Sequence, residues 1–288
     1  MIAPKPQRRL SKSMTIAIGF RCKDGVILCA DTQETFDGTK RNVPKLVVKD
    51  GSTEDIPLVL AVAGAGDGPF IDRLITDVWR AIGNCQELDD ACLAADDEIL
   101  RVYDRYASSF GGNMPSVELV YAIRSRNGVR LFHASGQIVN EVGHRSIGVG
   151  HILSDYLTER VYFDDMYVTV ALQVATYILK ETKQYVDGCG GESHIVLIPD
   201  EGIPYFRVPQ DDIAKREGMY KYSDIFMEFM KHRVSNPDFP QESVEQMVNL
   251  MRNVLIRKNA ELRADAANTK TLIAGTTPST PRSSEDQP

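Results

Sequence analysis

The stretch Thr15-Ile-Ala-Ile-Gly-Phe-Arg-Cys-Lys-Asp-Gly-Val-Ile-Leu-Cys-Ala-Asp31 reads as two short β-strands folded back on each other at Lys23-Asp24-Gly25. An acid ends the second strand. Lys45 follows fourteen residues later, in Asn42-Val-Pro-Lys-Leu-Val47. A hydroxyl at a strand start, a lysine and an acid can together form an activated nucleophile. They do so best if Thr15 becomes the N-terminus of the chain, because its own α-amine can then act as the base.

The pattern beyond this hairpin sets the fold class. Strand signals rich in Val, Ile and Leu cover 15–22, 25–31, 43–48 and 57–63. Gly64-Ala-Gly-Asp-Gly-Pro69 then breaks the pattern, with Asp67 suited to cap a helix and Pro69 to its first turn. Phe70, Ile71, Leu74, Ile75, Val78, Trp79 and Ile82 recur at helical spacing, and a second helix is predicted over 88–107. Strands return at 117–124, 128–135 and 138–142, helices near 151–160 and 165–185, and strands at 193–199 and 203–207. That order is not the strict alternation of a parallel doubly wound sheet. Short links predict mostly antiparallel strands. Two sheets face to face, each covered by a helix pair, bury every apolar face: an α+β, four-layer αββα sandwich. Residues 209–263 are predicted as a C-terminal helical extension, whose stripe of Val244, Met247, Val248, Met251, Val254 and Leu255 packs either on its own domain or on a neighbouring subunit. Residues 264–288, rich in Thr, Ser, Pro and Asp, are predicted to be a disordered tail.

Composition excludes several functions. The net charge of -7 argues against nucleic acid as a partner, since phosphate binding needs clustered Lys and Arg. No apolar run approaches about eighteen residues, so no membrane span is expected. Five cysteines at irregular spacing predict a reduced, cytoplasmic chain. The five histidines are scattered, and there is neither a Cys-x-x-Cys nor a His-x-x-x-His pair, so no metal or other cofactor is expected. Residues 1–14 carry Lys5, Arg8, Arg9 and Lys12 but no acid and no apolar core; they are expected to be a leader or propeptide, not a secretory signal.

Residues 15–207 resemble a proteasome β-type subunit, and most of all the bacterial HslV-type relatives, within the N-terminal nucleophile (Ntn) hydrolases. Thr15 matches the family's N-terminal threonine without gaps through Asp31, and Asp31-Thr-Gln-Glu-Thr35 matches its Asp-x-x-x-Thr run. Lys40-Arg-Asn-Val-Pro-Lys45 fits the segment of the family lysine, and Ala61-Val-Ala-Gly-Ala-Gly-Asp67 its glycine-containing turn. The resemblance implies an Ntn hydrolase domain at 15–208 and a threonine-type endopeptidase subunit assembled in homo-oligomeric rings. The substrate would be unfolded polypeptide, and an ATPase unfolding partner is possible on the family's account.

The roles are physical. A free α-amine has a reference pKa near 7.7–8.0, so a fraction is neutral and accepts the hydroxyl proton. Lys45 would lower that pKa by like-charge repulsion and stabilise the developing alkoxide. Asp31 would fix Lys45, which shares a strand face with Val43 and Val47. Backbone N–H groups at Ala63 or Gly64 would hold the oxyanion, with a small residue there admitting the substrate. Gln33 sits where the HslV branch also has Gln, and the backbone at Thr35 would pair with an extended substrate.

Three departures from the family stand out. Val149, in Ile147-Gly-Val-Gly150, replaces the serine of a Gly-Ser-Gly turn, with Ser146 on the wrong parity to substitute. Asp187, in Val186-Asp-Gly-Cys-Gly-Gly191, stands in for the family acid only with a deletion, and Cys189 takes the place of its serine. Met14, not Gly, precedes Thr15. Either residues 1–14 are a propeptide, or synthesis starts at Met14 and its removal exposes Thr15. Two other functions remain open: a non-catalytic ring subunit, and an Ntn amidase acting on a small molecule.

Overall fold

The register of the first hairpin is what places the acid. In the computed structural model, which describes residues 15–36, 39–107, 114–235 and 240–273, β1 (Ala17–Cys22) and β2 (Gly25–Asp31) pair antiparallel. The closing pair Cys22↔Gly25 leaves Lys23 and Asp24 as the turn, and the ladder runs back to Ala17↔Ala30. One step further, the Asp31 amide donates to the Ile16 carbonyl at 3.1 Å. The turn length alone therefore delivers Asp31 to the foot of β1. The Asp24 carboxylate also accepts from the Val168 amide at 2.8 Å, which satisfies a free N–H in the first turn of α4 (Val168–Tyr185).

Alternation then sorts the side chains. Ile16, Ile18 and Phe20 turn outward into a buried cluster with Leu172, Ala175, Ile178 and Leu179 of α4. Ala17 turns inward, against Ala61, Ala63, Val120 and Leu131 of a second sheet. The first sheet is ordered β10 (His144–Ile147), β1, β2, β11 (Ser193–Pro199), β12 (Phe206–Arg207). The second is β5 (Leu46–Asp50), β6 (Val59–Gly66), β7 (Val117–Ser125), β8 (Gly128–Ser135), β9 (Ile138–Glu141). Every described pairing is antiparallel. α1 (Gly68–Ile82) and α2 (Leu88–Ala107) bury their apolar stripes on the second sheet; α3 (His151–Val161) and α4 cover the first. The result is the expected αββα sandwich. Asp67 caps α1 by accepting from the Phe70 amide at 3.0 Å.

The structure also corrects the sequence reading. The strand expected at 43–48 begins at Leu46, so Lys45 lies just before it, outside the ladder. Two elements were not anticipated: β10, and the small pair β3 (Gln33–Phe36) with β4 (Thr39–Asn42). Both are short and polar, so they lack an apolar alternation to read. The extension comprises α5 (Gln210–Ser235) and α6 (Gln241–Ile273). α5 docks on α4 through Tyr220, whose hydroxyl donates to the Gln173 carbonyl at 2.8 Å and whose ring lies 5.2 Å from that of Tyr177. Because α6 runs to Ile273, the disorder expected from 264 is corrected for 264–273: Ala, Lys and Leu sustain a helix past the boundary set by composition. The leader at 1–14 and the tail at 274–288 lie outside the described residues. No helix among the described residues is long and apolar enough to cross a membrane.

Candidate active site

Asp31 is fully buried at the end of β2 and accepts four hydrogen bonds. Oδ1 takes the Thr15 hydroxyl at 3.0 Å, the Ile16 amide at 3.2 Å and the Lys45 ammonium at 2.7 Å. Oδ2 takes the Gly190 amide at 2.9 Å. A buried carboxylate is tolerated only when charge and donors surround it in this way. Lys45, with a side chain 11% exposed, also donates to the Gln33 carbonyl. Three residues far apart in sequence, Thr15, Asp31 and Lys45, thus meet on one carboxylate oxygen.

Thr15 itself is 1% exposed. The Gly148–Gly150 turn closes over it: the Gly150 amide donates to the Thr15 carbonyl at 3.2 Å. Gly148 has φ +86°, and a Cβ there would lie 2.4 Å from the Thr15 carbonyl oxygen and 2.5 Å from its Cγ2. Only glycine supplies that conformation and that approach together. Ser146 is turned away, sharing a 2.8 Å hydrogen bond with the Ser154 hydroxyl.

The structure does not bring Asp187 into the cluster. Its side chain is exposed in the turn after α4. The backbone amide of Gly190 reaches Asp31 in its stead, and Cys189 is the buried residue of that loop. Burial, and then the charge of Asp31, push the Cys189 thiol up to about 12, against a partial offset from Lys45. The signal that sequence reasoning passed over was the Gly190-Gly191 pair, whose freedom lets a main-chain donor approach a buried acid.

The predicted substrate wall is partly assembled. The Gln33 amide donates to the Gly190 carbonyl at 3.0 Å, and its side-chain nitrogen is buried without a hydrogen-bond partner. The Thr35 hydroxyl is likewise buried without one. In the described ladders β3 pairs with β4 on one edge and with no strand on the other. Ala63 lies opposite Leu46, and continuing that register sets Gly64 across from Lys45. Ala63 faces the space between the sheets. Gly64 is small for a reason other than substrate access: a Cβ there would meet Ile71 and Leu119 side chains at 2.9–3.0 Å, so its bareness lets α1 settle on the sheet.

A chemical consequence can be measured. Burial raises the thiols of Cys22, to about 12, and of Cys29, and raises Cys92 to about 11. Only thiolates alkylate readily. Iodoacetamide at about pH 8 is therefore expected to leave Cys22, Cys29 and Cys189 unmodified in the native chain and to modify all three once the chain is unfolded. Peptide mass spectrometry reads this directly. Modification of native Cys189 would show that the loop around Asp31 opens.

Comparison with solved structures places the architecture. The Anbu complex of Pseudomonas aeruginosa, solved as a helical assembly, superposes with a TM-score of 0.63 over 79% of this chain and 99% of its own, at 16% identity. Anbu, the ancestral β-subunit, from Yersinia bercovieri matches with a TM-score of 0.60 over 74% of this chain and 96% of that one, at 15% identity. The chain has the Anbu fold. In sequence, the proteasome α subunit of Methanocaldococcus jannaschii is 26% identical over 212 residues, 70% of this chain and 76% of that subunit. That of Methanococcus maripaludis is 25% identical over 211 residues. No protein-family model matches the chain. These likenesses show the fold and do not separate a β-type or HslV-type reading from an α-type one.

Proposed function

We propose that the chain is a threonine-type endopeptidase subunit of a proteasome-like ring complex, acting on unfolded polypeptide in the cytoplasm. The observation that carries this reading is the Asp31 carboxylate bridging the Thr15 hydroxyl and the Lys45 ammonium. Cleavage of the Met14–Thr15 bond frees the α-amine. The neutral amine then takes the hydroxyl proton as Oγ1 attacks the scissile carbonyl. Lys45, oriented by Asp31, offsets the charge that develops on Oγ1. Backbone N–H groups at Ala63 or Gly64 hold the carbonyl oxygen. The protonated amine passes its proton to the leaving amine, an ester forms on Thr15, and water hydrolyses it by the same relay in reverse. The edge of β3 at Thr35 takes the substrate as an added strand, beside Gln33, whose main chain is already held by Gly190 and Lys45. An ATPase that unfolds substrates fits this reading.

The test is the mature N-terminus together with an assay. Chain isolated from its native host should have the mass of a species beginning at Thr15 and hydrolyse an unstructured peptide. A population beginning solely at Met1 and inert toward peptides would overturn the reading. A second reading, a non-catalytic ring subunit, is favoured by the α-subunit likeness and by the exposed position of Asp187. It predicts ring assembly with Thr15 still bonded to Met14.

A further inference from the structure

The C-terminal extension reaches the loop that serves Asp31. Residues 186–192 join α4 to β11, and within them the Gly190 amide donates to Asp31 Oδ2 at 2.9 Å. Two adjacent glycines permit that approach. They also make the loop costly to hold still, because glycine loses the most backbone freedom on ordering. Gly191 has φ +72°, and a Cβ there would lie 2.5 Å from the Thr32 hydroxyl oxygen. The loop therefore takes its bracing from its neighbours. The Glu192 amide donates to that Thr32 hydroxyl at 2.8 Å. Ser193 follows, 1% exposed and opposite Asp31 in the β2–β11 ladder.

The other braces come from helices. Glu217 of α5 accepts two hydrogen bonds on Oε1, from the Ser193 hydroxyl and from the Lys183 ammonium, each at 2.7 Å. Lys183, in the last turn of α4, also donates to the Gly191 carbonyl at 3.3 Å. Gln210, the first residue of α5, donates to the Ser193 carbonyl at 2.9 Å. An ion pair open to water contributes little. Here the Lys183 and Glu217 side chains are only 13% and 26% exposed, and both bonds to Glu217 are charge-assisted. We infer that Glu217 is a positioning residue that ties α5 to the Gly190–Ser193 loop and so keeps the Gly190 amide on Asp31. The tie is independent of any activity; its catalytic consequence rests on the peptidase reading. Glu217 touches neither Thr15 nor Lys45, and it acts through the loop. The extension thus belongs to the framework of the site. Its docking does not depend on this one residue, since Tyr220 donates to the Gln173 carbonyl and Asp224 pairs with Lys180 at 3.0 Å.

The full chain carrying Glu217→Ala tests this, with the Cys189 thiol as the probe beside Gly190. The charges that act on that thiol are those of Asp31 and Lys45, so a faster reaction reports opening of the loop. Iodoacetamide is expected to modify Cys189 about tenfold faster than in the wild-type chain. Cys22 and Cys29, buried in the first hairpin, should stay protected. Asp224→Ala removes a bond from the same helix without touching the loop and should leave Cys189 protected. Glu217→Gln keeps an acceptor for the Ser193 hydroxyl and should restore both protection and most of the activity. In Glu217→Ala, peptide hydrolysis should lose about tenfold in kcat with KM unaltered, because an Asp31 without its Oδ2 donor holds Thr15 and Lys45 less firmly. An unchanged Cys189 rate in Glu217→Ala overturns the inference. So does an equal rise at Cys22 and Cys29, which marks a general loss of stability, or an equal rise in Asp224→Ala, which assigns the effect to the helix as a whole. If the wild-type chain hydrolyses no peptide, the peptidase reading fails, and the alkylation rates alone decide whether Glu217 holds the loop.

Discussion

The Thr15→Ala variant is expected to lose peptide hydrolysis by on the order of 10⁴-fold in kcat/KM while remaining folded. The activity loss follows from removing the attacking atom, with the amine, Lys45 and Asp31 still in place. The modest effect on stability follows from the hydrogen bonds at Asp31. That carboxylate loses one donor of four and keeps the Ile16 amide, Lys45 and the Gly190 amide. Loss of one such bond costs about 1 kcal/mol. Thr15→Ser keeps a hydroxyl on the same atom path and should keep a measurable fraction of the activity. Hydrolysis by Thr15→Ala at the wild-type rate would locate the nucleophile elsewhere and end the threonine-peptidase reading. A null result in all three chains, wild type included, would instead point to the non-catalytic subunit.

Much of this site was legible because it is built from local rules. The hairpin turn fixes its register, the register brings Asp31 to residue 16, and the capping of α1 by Asp67 follows from residue type alone. Lys45 was legible as a partner, although the reason first given, a shared strand face with Val43 and Val47, does not apply, since the strand starts at Leu46. What stayed illegible depends on main-chain atoms or on long-range contact. The Gly190 amide replaces a side chain that the pattern assigned to Asp187, and a backbone donor leaves no mark in the sequence beyond a glycine. Gly64 was read as room for substrate, whereas its neighbours Ile71 and Leu119 come from α1 and β7, which only the tertiary fold brings there.

The Asp31→Ala variant is expected to be the most destabilising single change at the site, at about 3–5 kcal/mol, the cost of leaving a buried charge without its partner. Lys45 would keep the Gln33 carbonyl as a neutral acceptor and lose its counter-charge at 11% exposure. The Thr15 hydroxyl and the Ile16 and Gly190 amides would also lose their acceptor. A domain whose whole stability is about 5–15 kcal/mol has little left after such a loss. Urea titration should show the midpoint fall sharply with little change in slope. Combining Asp31→Ala with Lys45→Met removes both charges, and the double variant should be more stable than Asp31→Ala alone, because no unpaired ion remains buried. Strict additivity of the two single losses would mean that Asp31 and Lys45 do not act as a pair. It would remove the observation on which the proposed chemistry rests, whatever the N-terminus of the mature chain proves to be.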